Sequence, residues 1–299
     1  MSNEAENFRS GTVVLGGRTN VGKSTLLNRL VGQKVAIVTP RPQTTRRRIL
    51  GIRTDADSQI VLIDTPGLHV AKTALGNRML AVAHRSLAEA DVVAPIVESG
   101  GNLMPADRDL LKGLTAEDRP IVVVINKVDR ISRSACLPLI DEIRQILPDA
   151  EIVPVSALTG ENIDELVRTL KSKIKPGPPL MPTDEYTDQT ERMLAAEIVR
   201  EKLFLAMREE VPFGSAVEIE RYVEEDERGL VKIAAMIIVG RESHKGMVIG
   251  AGGRQLKAIG TNARLDLEKI LGARVFLELL VKVERDWMRS ERRLTELGL

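Results

Sequence analysis

Residues Thr12–Gly32 read TVVLGGRTNVGKSTLLNRLVG. The run TVVLG is apolar and β-branched, as a buried strand is, and STLLNRLVG carries its leucines at helical spacing. Between them Gly17–Ser24, GRTNVGKS, matches G-x-x-x-x-G-K-[ST] with a strand before it and a helix after it, the setting that pattern requires. In such a turn the backbone N–H groups of the loop and of the helix N-terminus surround phosphates. Gly17, Arg18, Thr19, Asn20, Val21, Gly22, Lys23, Ser24 and Thr25 are therefore the candidate phosphate-facing set. Lys23 adds a point charge at the β and γ phosphates, and Ser24 offers a hydroxyl to Mg²⁺.

Strand and helix signals alternate outward from this stretch. SQIVLID (58–64), IVVVIN (121–126) and EIVPVSA (151–157) are runs of the kind a parallel strand covered on both faces shows. DVVAPIVES (91–99) is a fourth, but Pro95 cannot donate to a ladder, so a bulge or weakened pairing is expected there. LGNRMLAVAHRSLAEA, CLPLIDEIRQIL and IDELVRTLKSKI read as helices between them. The pattern predicts an α/β domain over residues 8–175, mostly parallel, with helices on both faces. KPGPPLMPTDEYTDQT is rich in proline and reads as a linker, 176–190. A helix, two alternating strands, two helical runs and a last strand follow. This α-β-β-α-α-β order predicts a smaller α+β domain over 191–285, with a basic helical tail at 286–299.

Composition narrows the setting. The chain has 299 residues, 43% hydrophobic, 28% charged and 2% aromatic, with net charge +1. Its cores must be aliphatic, and any polyanion surface must come from local clustering. A single cysteine, Cys136, excludes an intramolecular disulfide and suits a reducing compartment. No apolar run has the roughly 18 residues a membrane span needs, and the polar N-terminus lacks a signal-peptide core. A cytoplasmic protein is expected.

The remaining motifs specify the nucleotide. Asp64-Thr65-Pro66-Gly67 ends the SQIVLID strand, where a carboxylate can hold a Mg²⁺-bound water and Gly67 lets the backbone approach a γ-phosphate. Asn126-Lys127-Val128-Asp129 closes the IVVVIN strand. The Asp129 carboxylate can accept from the N1–H and N2–H₂ edge of guanine, a donor pair adenine lacks. Ser156-Ala157-Leu158 can offer a backbone N–H to guanine O6. In TPRPQTTRRRILGI, a threonine at 44 or 45 could complete the Mg²⁺ shell from a switch loop. Arg46, Arg47 and Arg48 read as a solvated basic face, or more rarely as an RNA contact.

The set GRTNVGKS, QTTR, DTPG, NKVD and SAL resembles translation-factor-related GTPases, and QTTRRRILGI with DTPGLH resembles the Era family in particular, over nearly the whole chain. The resemblance implies GTP hydrolysis to GDP with Mg²⁺ held by Ser24, Thr45 and, through water, Asp64. It also implies K⁺ at Asn20 in place of an arginine finger, so Asn20, Lys23, Thr45 and Gly67 are the expected catalytic set. Leu68 stands where related GTPases carry a water-orienting glutamine, so unaided hydrolysis should be slow. Binding of the 3′ end of 16S ribosomal RNA, a role in 30S subunit assembly, peripheral contact with the inner membrane and a monomeric state follow as expectations of the same kind. Two other readings stay open: a non-catalytic nucleotide-sensing adaptor, and a peripheral membrane GTPase using its basic tail.

For the second domain the resemblance implies a type II KH fold. VIGAGGRQLKAIG (248–260) fits this, because a G-x-x-G loop between helices lets a nucleic-acid backbone approach closely. A dinucleotide-binding G-x-G-x-x-G would start at Gly250 and fails at Gln255. Basic residues outnumber acidic ones roughly two to one between Arg241 and Arg274. Lys245, Ile249, Gly250, Ala251, Gly252, Gly253, Arg254, Lys257 and Arg264 are the expected RNA-facing residues, with Ile249, Leu256 and Ile259 as the candidate groove floor. Ala251 stands where the family carries lysine and Thr19 where it carries proline.

Overall fold

The computed structural model describes residues 8–67, 73–225 and 229–299. Two compact units emerge. One contains the N-terminal sheet and Met79–Asp188; the other is built on Gln189–Leu299 and also takes in Ile37–Thr44 and 73–78, so the helix that begins at Ala74 starts in the second unit and continues in the first.

The first unit runs β1 (Arg9–Gly16), α1 (Lys23–Val31), β2 (Ile49–Asp55), β3 (Ser58–Asp64), α2 (Ala74–Glu89), β4 (Val92–Glu98), α3 (Pro105–Gly113), β5 (Val122–Asn126), α4 (Leu137–Ile146), β6 (Glu151–Pro154), α5 (Ile163–Lys173) and β7 (Lys175–Pro176). The sheet order is β2-β3-β1-β4-β5-β6, with β7 on β1. Only β2 and β7 run antiparallel to their partners. Val13 and Leu15 point into one aliphatic layer and Val14 into the other, as the two-residue period of a strand requires.

Register sets up the functional edge. Leu15 pairs with Asp64, Gly16 with Pro95 and Glu98 with Asn126. The carboxyl ends of β1, β3, β4 and β5 therefore align. The strand order reverses around β1, where open α/β sheets place their ligands.

Two elements depart from the sequence expectation. β2 pairs with β3 along its whole length, a strand the sequence pattern does not predict, because three arginines in front of ILGIRTD mask its short apolar run. The pattern does not predict α3 either, because PADRDLLKG has few apolar positions. The expected weakness at Pro95 is present. β4 pairs with β1 through Pro95, but its pairing with β5 is broken between Val93 and Ile96, as a residue without an N–H dictates.

Residues 177–188 follow the first unit closely. Gly177 N–H donates to Phe8 O at 2.9 Å, Leu180 N–H to Gln59 Oε1 at 2.7 Å and Ile52 N–H to Tyr186 O at 2.9 Å.

The second unit runs α6 (Glu191–Ala206), β8 (Ser215–Glu225), β9 (Leu230–Val239), α7 (Glu242–Ile249), α8 (Arg254–Leu271), β10 (Arg274–Val283) and a short α9 (Glu291–Glu296). The order α-β-β-α-α-β is the expected one. β9 is central, antiparallel to β8 and parallel to β10. The Thr190 hydroxyl caps α6 by accepting from Met193 N–H at 3.2 Å. Ile198, Leu203, Ile237, Ile259 and Leu267 form its core. Within this unit Ile37–Thr44 lies on α6: Val38 N–H donates to Glu201 Oε1 at 3.0 Å, and Arg200 Nη2 to Thr44 O at 2.7 Å. Trp287 and Leu294 of the tail are buried here, and Trp287 Nε1 donates to Gly214 O at 3.2 Å. Among the described residues no helix is long and apolar enough to cross a membrane.

Candidate functional site: a nucleotide cradle and a glycine-loop groove

The loop after β1 turns on residues with positive φ: Gly17 at 148°, Asn20 at 65° and Gly22 at 101°. Only glycine fits at 17 and 22 for a second reason. A Cβ on Gly17 would lie 2.7 Å from Ile96 O, and one on Gly22 would lie 2.3 Å from Asn126 Nδ2. The loop delivers Lys23 and Ser24 to the first turn of α1, whose free N–H groups favour an anion. Lys23 is buried, and its Nζ donates to Gly17 O at 3.1 Å and Arg18 O at 2.9 Å. Burial lowers its pKa to about 8, with Asp64 opposing that shift.

Three oxygen-bearing side chains meet beside it. Ser24 Oγ donates to Asp64 Oδ2 at 2.6 Å, Thr45 Oγ1 reaches the same oxygen at 3.3 Å, and the two hydroxyls are 3.0 Å apart. Asp64 is fully buried, and burial pushes its carboxyl up against the pull of Lys23 and the two hydroxyls. Its Oδ1 finds no donor among the described residues. A buried carboxylate with one free oxygen, converged on by two hydroxyls, fits a small hard cation such as Mg²⁺. The cation would reverse the electrostatic penalty on Asp64. Of the two switch threonines, Thr45 points into this cluster, whereas Thr44 Oγ1 bonds Thr39 Oγ1 and Arg41 O at 2.9 Å. The Thr65 hydroxyl donates to Leu15 O at 3.1 Å and Pro66 is buried. A Cβ on Gly67 would lie 2.9 Å from the Thr19 backbone, so only glycine lets these two loops touch. Leu68 lies outside the described residues.

The base-reading loops are tied to the cradle. Asn126 Nδ2 donates to Val21 O at 2.8 Å, its Oδ1 accepts from Ala157 N–H at 3.0 Å, and Lys127 Nζ donates to Asn20 O at 2.7 Å. Ser156 Oγ donates to Asp129 Oδ1 at 2.6 Å, leaving the exposed carboxylate facing outward.

Sequence reasoning missed a charged hub. Glu98, at the end of β4, takes Arg18 Nη2 at 3.0 Å and Lys127 Nζ at 2.8 Å, and Arg18 Nε reaches the buried Asp107 at 3.1 Å. Burial pushes the Glu98 carboxyl up, but Lys127 and then Arg18 hold it below its ordinary value. Asp107 goes the other way: burial outweighs Arg18. The hub joins the phosphate loop to the NKVD loop. The signal that could have found it is the register, since Glu98 pairs with Asn126.

In the second unit, Gly250, Gly252 and Gly253 take φ of 71°, 60° and 76°. A Cβ on Gly250 would lie 2.7 Å from Gln255 Cβ, so the loop turns tightly into α8. Beside it runs a groove of about 360 Å³ lined by Gly253, Leu256, Lys257, Gly260, Arg264 and Leu279, among others. Lys257 and Arg264 thus reach the groove, although Arg264 is shared with Glu268 at 2.8 Å. Ile259 is in the core, and Lys245 and Ile249 do not line the groove. Exposed Ala251 presents its carbonyl to Arg254 Nε at 3.2 Å, which brings a guanidinium back to the loop that lacks a lysine. Gly260, Leu277 and Leu279 also line the groove, which the sequence pattern does not predict.

A model described as 50S ribosome-binding GTPase matches residues 12–127, and a KH domain model matches residues 210–288. The GTPase Era of Syntrophus aciditrophicus is 44% identical over 291 residues, covering 97% of this chain and 95% of that protein. The GTPase Era of Geobacter metallireducens is 46% identical over 291 residues, covering 97% and 98%. Among solved structures, Era in complex with MgGDPNP and nucleotides 1506–1542 of 16S ribosomal RNA superposes with a TM-score of 0.93 at 44% identity, covering 97% of this chain and 99% of that one. An Aquifex aeolicus Era variant bound to GDP and AlF4⁻ gives 0.94 at the same identity and coverage.

Proposed function

This chain belongs to the Era family of GTPases, and from that membership we propose that it is a GTP-driven switch that binds the 3′ end of 16S ribosomal RNA and assists assembly of the 30S subunit. Mg²⁺ is held at Ser24, Thr45 and Asp64, the protein acts as a cytoplasmic monomer, and the RNA lies along the glycine loop. The observation that carries the reading is the pairing, in one chain, of a phosphate cradle with an orphaned carboxylate oxygen and a basic-rimmed groove beside a G-x-x-G loop. Ile37–Thr44 belongs to the RNA-facing unit while Thr45 faces the cation site, which supports nucleotide state being passed along the chain to α6.

Gly252→Asp tests the RNA half. Gly252 has a φ of 60°, which aspartate tolerates better than most residues, and a Cβ there meets nothing within 4 Å. The added carboxylate should repel the RNA backbone. Affinity for a 16S 3′-end oligonucleotide should fall about tenfold or more, with GDP affinity as the folding control. An unchanged RNA affinity would place the groove elsewhere.

Catalysis is assigned to K⁺ at Asn20, which turns its backbone through a φ of 65° at the loop's exposed tip. A cation there supplies charge to the transition state as an arginine finger does. Single-turnover hydrolysis should run at least about tenfold faster in K⁺ than in Na⁺, and equal rates would remove K⁺ from the mechanism. In the tail Trp287 and Leu294 face the core, so a peripheral membrane contact would fall to its exposed Arg289 and Arg292.

A further inference from the structure

We infer that Arg29 is a positioning residue for guanine specificity, orienting the Leu158 N–H toward the O6 edge of the base. The inference rests on reading Asp129 and Ser156–Leu158 as the guanine reader. Arg29 lies in the last turn of α1, six residues after Lys23, about 9 Å along the helix axis. The same rigid element therefore begins at the phosphates and ends beside the base loop. The Arg29 guanidinium crosses to that loop with both arms: Nε donates to Ala157 O at 3.1 Å and Nη2 to Leu158 O at 2.5 Å. A planar fork that holds two successive carbonyls fixes two peptide planes at once.

In a trans peptide the carbonyl and the following N–H point in opposite directions. Holding Ala157 O therefore fixes the Leu158 N–H on the side away from the guanidinium. The neighbouring donors are already engaged: Ala157 N–H on Asn126 Oδ1 at 3.0 Å, and Thr159 N–H on Ser156 Oγ at 3.1 Å. Leu158 N–H has no acceptor among the described residues. A cavity of about 460 Å³ opens beside the Arg29 guanidinium, lined by Thr25, Asn28, Arg29, Lys34, Ala157 and Leu158; the Leu158 N–H faces away from that side. Without Arg29 the plane of this one free donor is held only by the loop's own turn.

The test compares the full chain with Arg29→Met, which keeps the stem and removes the fork, and Arg29→Lys, which keeps one donor. Dissociation constants are measured for GDP, for 6-thio-GDP, whose sulfur is a poor acceptor at position 6, and for IDP, which keeps O6 but lacks the amino group read by Asp129. Arg29→Met should weaken GDP and IDP by the same factor, about tenfold, while 6-thio-GDP changes much less; Arg29→Lys should fall between. Unchanged GDP affinity, or equal losses for GDP and 6-thio-GDP with a lowered melting temperature, would make Arg29 a structural support and overturn the inference. A wild type that fails to distinguish GDP from ADP would instead remove the guanine reader itself.

Discussion

Lys23→Ala should abolish tight binding of GTP and GDP, weakening both by about two to three decades or more. Lys23 is buried, and its Nζ sits on the carbonyls of Gly17 and Arg18 inside the phosphate loop. Removing one partner of a buried charge pair costs about 3–5 kcal/mol, and each 1.4 kcal/mol is a factor of ten. The nucleotide-free variant should fold, because its burial penalises the Lys23 charge until phosphates arrive. Equilibrium binding of a fluorescent GDP analogue with a melting curve on the same sample separates the two effects. Retained affinity would mean that the loop's N–H groups hold the phosphates alone.

The same lysine sets a pH dependence whose sign is fixed. Its pKa in the folded chain is lowered to about 8 from an ordinary 10.5. Below pH 8 the group is protonated in both folded and unfolded chains, and its burial penalty is complete. Between 8 and 10.5 the unfolded chain holds more protons, so the nucleotide-free protein gains stability from this group as pH rises. Nucleotide binding goes the other way, since the phosphates need the ammonium. Affinity should fall as pH rises through 8, with net proton uptake on binding. Calorimetry in two buffers of different ionisation enthalpy reads that uptake directly, and Lys23→Ala should remove it.

Asp129→Asn should weaken GDP by about two to three decades and make xanthosine diphosphate the better ligand. The carboxylate accepts from two adjacent donors of guanine; an asparagine amide presents one donor and one acceptor, which suits the 2-oxo edge of xanthine. Discrimination of this kind is large because a mismatched polar pair is left unsatisfied on burial. Ser156 Oγ aims the side chain from behind at 2.6 Å, so the substitution changes the base edge more than the loop. Competition between GDP and xanthosine diphosphate for both proteins checks this; unchanged guanine preference would move base reading off Asp129.

What could be read before folding was chemistry confined to contiguous residues. GRTNVGKS, DTPG and NKVD each place their groups within a single loop, so spacing and flanking strands were enough to assign phosphate, cation and base contacts. Residues 248–260 were legible in the same way, as a tight glycine turn entering a helix. The contacts that hold these loops in place were hidden. Arg18 reaches Asp107 across 89 residues, Arg29 reaches Leu158 across 129, and Arg200 reaches Thr44 across 156. β2 was hidden for a related reason: its pairing partner, not its composition, makes it a strand.

The amino-acid sequence by itself determined an α/β unit followed by a smaller α+β unit, the guanine nucleotide and the glycine-loop domain, because local spacing is what positions backbone N–H groups and carboxylates in a loop. Only the tertiary structure decided that Thr45 rather than Thr44 faces the cation site, that Glu98 joins the phosphate and base loops, and that Lys257 and Arg264 line the groove while Ile259 enters the core. Those choices follow from sheet register and from which face of a helix meets its neighbour, and both are set by packing between segments far apart in the chain.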